Sequence, residues 1–125
     1  EILTKVGLLD EKFFNYYEDV DWSLRMKNLG YDLGFVKESI IYHHGSSSSK
    51  NKKTKEGVIS SKIHYFNIRN HILLLKKHKN LFNFFGIVFF QIIKTTSYIF
   101  YFLIKFRFNK LTMVLKGLKH GLNNK

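Results

Sequence analysis

A chain of 125 residues, 45% hydrophobic and 17% aromatic, holds enough apolar material for a core, so disorder throughout is excluded and at most one domain, or a piece of a larger one, is expected. The absence of cysteine excludes a disulfide scaffold, a thiolate zinc site and a cysteine nucleophile. The net charge of +12 is uneven: residues 1–45 carry five Lys/Arg against eight Asp/Glu, and residues 46–125 carry sixteen against one, so the second part should seek polyanions.

The opening Glu1-Ile2-Leu3-Thr4 has no basic stretch followed by an apolar run, so no signal peptide is expected and the chain reads as beginning within a longer protein. Residues 13–17 are aromatic and β-prone, leading irregularly into an acidic cluster. Asp19 or Asp21 then suits the N-cap of a short helix, with Val20, Leu24 and Leu29 on one side and Gly30 as its stop. Residues 33–36 and 40–43 read as two short strands separated by Lys37-Glu38-Ser39. The polar run 46–57 reads as a loop. Beyond it, Ser60 or Ser61 can cap a helix reaching about His78, with Tyr65, Ile68, Ile72 and Leu75 as its buried stripe. An aromatic helix is expected over about 80–108 and a short final one over roughly 110–120, ending among Gly117 and Gly121.

Two features carry chemistry. Glu18, Asp19 and Asp21 crowd three carboxylates into four residues, and their repulsion favours holding one of them as a general base. The competing reading is solvated acids at a helix N-terminus, where the dipole favours them. His43 and His44 end a β-prone run, where one of them is placed to ligate a metal completed from elsewhere; the competing reading is a surface or satisfied core histidine.

Taken together, the aromatic pair Phe13-Phe14, Tyr17, Glu18-Asp19, Asp21, Leu24-Arg25, Gly30-Tyr31, His43 and Gly45-Ser46 resemble the C-terminal part of the catalytic domain of family 2 glycosyltransferases. The likeness is to the rhamnosyltransferase-like members that build bacterial surface polysaccharides, and residues 65–78 look like the helix that follows in that subgroup.

The resemblance implies an α/β fold: the C-terminal portion of a type A glycosyltransferase domain over residues 1–58, then an all-helical extension over 59–125. It places the general base on Asp19, with Glu18, Asp21 and Arg25 in support, and puts Phe14, Tyr17 and Arg25 beside substrate. It places a metal ligand on His43, with His44 as runner-up, for a Mg or Mn ion whose other ligands come from an upstream half. The implied reaction is inverting transfer from a nucleotide-sugar donor to a glycan or lipid-linked acceptor. Arg69 either reaches a phosphate or lines the face shared by Lys62 and Lys76.

Lys50, Lys52, Lys53 and Lys55 form either a cationic lid over a diphosphate or a solvated linker. In the aromatic segment, Asn80, Asn83, Gln91, Lys94, Tyr98, Tyr101 and Lys105 line up as one narrow polar stripe, interrupted only at Ile87, against Phe, Ile, Leu and Val. The pattern favours a helix lying in the interface of an anionic membrane, peripheral at the cytoplasmic face, with Phe85 and Phe89 inserted. Lys76, Lys77, Lys79, Lys105, Arg107 and Lys110 would then meet headgroups. A helix buried against other protein and a true span are the alternatives. Nucleic acid is not an expected partner, because the aromatics of this part sit in apolar runs and Lys outnumbers Arg fourteen to two.

Overall fold

The acids of the run Glu18–Asn28 fall in its first turn and its Arg25 and Lys27 in its last, the order that complements a helix dipole, and this run forms α2, the second helix of the computed structural model. The structure describes residues 1–42, 50–54 (backbone only) and 56–123. Contacts divide the chain into two units, Glu1–Ser47 and Ser48–Lys125.

In the first unit a five-residue helix, Ile2–Val6 (α1), precedes α2. The expected aspartate N-cap is not formed. Tyr17 occupies that position in a left-handed conformation with no side-chain cap, while Asp21 is drawn wholly inside. The C-terminal stop is the expected one: Gly30, at φ 80, donates to Lys27 O, and Tyr31 N donates to Met26 O, closing the last turn as a glycine-terminated helix does. Val20 and Leu29, expected on one side of the helix, are exposed, and among the described residues of this unit the buried ones are Val6, Phe13 and Asp21. Residues 33–36 and 40–42 are not strands. Phe35 and Tyr42 are 91% and 93% exposed, and no strand among the described residues of this unit offers them a ladder.

The second unit opens with a hairpin where a loop was expected: Lys50–Thr54 (β1) pairs antiparallel with Gly57–Ile59 (β2), with Lys50 opposite Ile59 and Thr54 opposite Gly57. Ser60 Oγ accepts from Lys62 N at 3.4 Å and starts Ser61–Lys77 (α3). After a 3₁₀ turn at Lys79–Leu81, Asn83 accepts from Gly86 N at 3.0 Å and caps Phe84–Ile104 (α4). The aromatic helix therefore begins at residue 84 and not at 80. A turn through Phe106 leads into Phe108–Asn123 (α5), longer than expected at both ends.

The three helices run up, down and up. His71 meets Gln91 while His64 meets Tyr98 and Phe102, so α3 and α4 are antiparallel; Gly117 faces Tyr65 and Ile68 while Gly121 faces Arg69 and Ile72, so α3 and α5 are parallel. Ile68, Ile72, Phe102 and Val114 form the core, with Tyr98, Ile99, Leu111 and Leu118 against it. Gly117 and Gly121 do not end the helix as the sequence suggested. They are its contact seam, and a Cβ on Gly117 would stand 2.6 Å from Tyr65 O.

Glu56, the single acid among the last eighty residues, closes the start of α5 by accepting from Asn109 N at 3.0 Å and Lys110 N at 3.1 Å. The Nζ of Lys110 donates to Glu56 O at 2.6 Å, and Lys110 is buried, so it is not the headgroup cation that was expected. The hairpin thus groups by its contacts with the helices, within the unit Ser48–Lys125.

Candidate active site

Three of the four residues from 14 to 17 lie at positive φ: Phe14 at 51°, Tyr16 at 70° and Tyr17 at 71°. For bulky side chains this region costs on the order of 1 kcal/mol or more each and persists only where the surroundings impose it. Here Phe13, 1% exposed, anchors the segment, and its N donates to Asp10 O at 3.0 Å while Phe14 N donates to Glu11 O at 3.1 Å. The strained turn delivers the chain into the first turn of α2, where all three acids stand.

Their environments differ sharply. Asp21 is fully buried, and its Oδ2 accepts from Arg25 Nε at 3.0 Å, one helical turn on. The remaining guanidinium nitrogens of Arg25 donate to Val6 O at 2.5 Å and Leu8 O at 2.6 Å, and Trp22 Nε1 donates to Gly7 O at 2.9 Å. Segment 6–8 is thereby pinned to α2 by a neutralised carboxylate and by hydrogen bonds strengthened by charge. Each side-chain nitrogen of Arg25, expected beside substrate, is hydrogen-bonded within the scaffold. The expected repulsion among three carboxylates is also relieved, because Arg25 matches Asp21.

Asp19 is exposed on a different side of the helix, with Oδ1 accepting from Val20 N at 2.8 Å. Residues two apart on a helix point away from each other, so Asp19 and Asp21 do not form a shared cation site. Glu18 is half-buried, and its Oε2 is buried without a hydrogen-bond partner among the described residues. Phe14 is 79% exposed beside this turn, and Tyr17 is half-buried. Among the described residues no three His, Asp or Glu side chains converge to hold a metal. The proposed ligands His43 and His44 lie outside the described residues, as do Lys55 and the side chains of Lys50, Lys52 and Lys53.

Arg69 belongs to the second unit, where its Nη1 donates to Asn70 Oδ1 at 2.9 Å. Lys76 is likewise engaged: its Nζ donates to Gly121 O at 3.0 Å and Leu122 O at 2.6 Å, closing the carbonyl end of α5, so it is not the free headgroup cation that was expected. Lys79 and Lys105 are exposed. On α3, burial and the charges of Lys110 and Arg107 hold His64 near a pKa of about 4, and neither ring nitrogen has a hydrogen-bond partner among the described residues. Burial also lowers His71, although its 2.7 Å hydrogen bond with Gln91 pulls the other way.

Sequence reasoning missed the carbonyl groups that engage Arg25. The spacing of Asp21 and Arg25, four apart on a helix, signals their pairing, but nothing local signals Val6 O and Leu8 O.

The chain is 33% identical over 79 residues to the dTDP-rhamnosyl transferase RfbF of Shigella flexneri, an alignment covering 62% of this chain and 27% of that protein. The likeness supports a glycosyltransferase-like relationship. The chain spans about a quarter of the length of the curated relative it matches. No family model matches the chain, and no solved structure matches it.

Proposed function

We propose that this chain forms the acceptor-side portion of a glycosyltransferase, the C-terminal part of a type A domain followed by a helical extension, with Asp19 as the general base. One observation carries the reading: of three crowded acids, one is neutralised inside the scaffold, one is half-buried, and Asp19 alone is presented to solvent at a helix N-terminus fed by a strained aromatic turn. A carboxylate so placed can take the proton of an acceptor hydroxyl, whose oxygen attacks C1 of a nucleotide sugar and inverts it as the diphosphate departs. The loss of the proton and the formation of the new C–O bond need an ionised, solvent-reachable oxygen, which the paired Asp21 does not offer. Phe14 and Tyr17 line the approach, and Asp21 with Arg25 fixes the helix that carries the base. His43, with His44 next, is the ligand of the divalent cation, Mg or Mn, expected at the donor diphosphate; the described residues alone form no cation site.

The first donor to try is a dTDP-sugar, because the relative is named for one. In the full-length gene product, Asp19→Asn should leave donor binding intact and lower kcat about 10²-fold or more, the usual scale for a general base. If Asp19→Asn kept near-normal turnover while Glu18→Gln did not, the base is Glu18 and the assignment fails.

A further inference from the structure

Helix α4 presents its faces in an unusual order. Gln91, Thr95, Tyr98 and Phe102 turn inward, Gln91 bonded to His71 and to Thr95, while Phe85, Phe89, Ile92, Phe100 and Ile104 are 81%, 68%, 58%, 61% and 69% exposed. They recur at helical spacing, and none is charged. Across the 21 residues of Phe84–Ile104, mean hydropathy reaches 1.6 with only 11% of the most apolar stretch buried. Between α4 and its neighbours lies a groove of about 860 Å³, lined by Ile72, Leu75, Val88, Ile99, Leu118 and Lys79. An uncovered apolar area of this extent marks a binding surface.

Charge identifies the occupant. The exposed cations Lys79 and Lys105 flank the two ends of α4, and residues 48–125 hold sixteen Lys/Arg against Glu56 alone. A protein partner would have to be both apolar over a helix length and acidic at both ends; the leaflet of an anionic bilayer is both everywhere.

We propose that α4 and the groove under it are a docking surface for an anionic phospholipid leaflet, with α4 lying flat, its Phe/Ile face among the acyl chains and Lys79 and Lys105 on phosphates. A crossing orientation is opposed by α3, which is held alongside α4 from Gln91 to Phe102 by His71 and His64 and carries Lys62, Arg69 and Lys76. Those groups would be drawn toward the hydrocarbon with it, at high cost. The inference rests on the second unit alone and is independent of glycosyl transfer.

Because the chain has no cysteine, single labels are clean. The full chain carrying Phe85→Cys, Ile92→Cys or Ile104→Cys, each spin-labelled and checked for helicity, is mixed with vesicles of phosphatidylcholine containing 30 mol% phosphatidylglycerol, a composition of about one anionic lipid in three. Oxygen and nickel-chelate accessibilities should place all three labels at one shallow depth below the phosphates. Lys79→Gln and Lys105→Gln should each weaken binding roughly 5-fold at low salt, corresponding to about 1 kcal/mol per cation. End labels at the headgroups with Ile92→Cys deep would mean a span and overturn the proposal. So would absence of binding, equal binding to pure phosphatidylcholine, or protection of the labels by self-association without vesicles.

Discussion

Replacing Gly117 with alanine sets two effects of opposite sign against each other. In an isolated helix, alanine is better than glycine by about 1 kcal/mol, so helix propensity alone makes Gly117→Ala stabilising. In this fold the added Cβ would lie 2.6 Å from Tyr65 O and 3.3 Å from Ile68 Cβ, against about 3.4 Å for an ordinary contact, so α3 and α5 must part by about 0.8 Å. A separation of that size forfeits a quarter to a half of the dispersion energy along the seam, and overpacking of this kind costs about 1–3 kcal/mol. Net destabilisation after the propensity gain is subtracted is therefore about 0–2 kcal/mol, a fall in Tm of roughly 4–8 °C per kcal/mol for a unit of this size. Gly121→Ala would meet Ile72 Cβ and Cδ1 at 3.0 Å and Arg69 O at 3.2 Å, so α3 and α5 must part there too, but by about half as much, and the cost should be smaller than for Gly117→Ala. Gly86→Ala is the matched control: its Cβ would meet nothing closer than 3.7 Å, so it should raise the melting temperature. Thermal melts by far-ultraviolet circular dichroism read all three. A Gly117→Ala protein as stable as Gly86→Ala would mean that the α3–α5 seam is not as close as described.

Trp22 is the single tryptophan and lies in the first unit, so its fluorescence follows that unit alone; Asp21→Asn, which leaves Arg25 without its buried counter-charge, should cost about 3–5 kcal/mol and lower the urea midpoint of that signal. An unchanged midpoint would place the stability of this unit elsewhere. Glu56→Gln removes the charge from the cap of α5 while keeping an acceptor, and should cost about 0.5–1 kcal/mol in a helicity melt, with Glu56→Ala nearer 2. His64 has a folded pKa of about 4, below its ordinary 6.5, so the unfolded chain binds the extra proton between those values: its contribution is full above about pH 6.5 and is lost as pH falls toward 4. Allowing for partial solvent screening, the loss is on the order of 1–2 kcal/mol, and His64→Phe should flatten that part of the pH–stability curve.

Much of the second unit was written locally. Ser60 and Asn83 start helices because their side chains satisfy backbone N–H groups only a few residues away, and Ile68 and Ile72 reach the core because their spacing keeps them on one face. The polar stripe of α4 was legible for the same reason. Which way it faced was not: water and a neighbouring helix both satisfy a polar side chain, and only the docking of His71 on Gln91 drew the middle of the stripe, Gln91, Lys94 and Tyr98, inward and left Phe85 and Phe89 outside. The same limit applies to glycine. Gly30 and Gly117 look alike along the chain, yet one ends a helix through its own positive φ and the other admits a second backbone that arrives from about fifty residues earlier. In the candidate site the three adjacent acids were visible as a group, but their division into a buried, a half-buried and an exposed carboxylate depended on Arg25 finding Val6 O and Leu8 O. Periodicity and caps act over one or two helical turns and are contained in the sequence as read; burial and strand pairing depend on partners distant in the chain, which only the folded structure brings together.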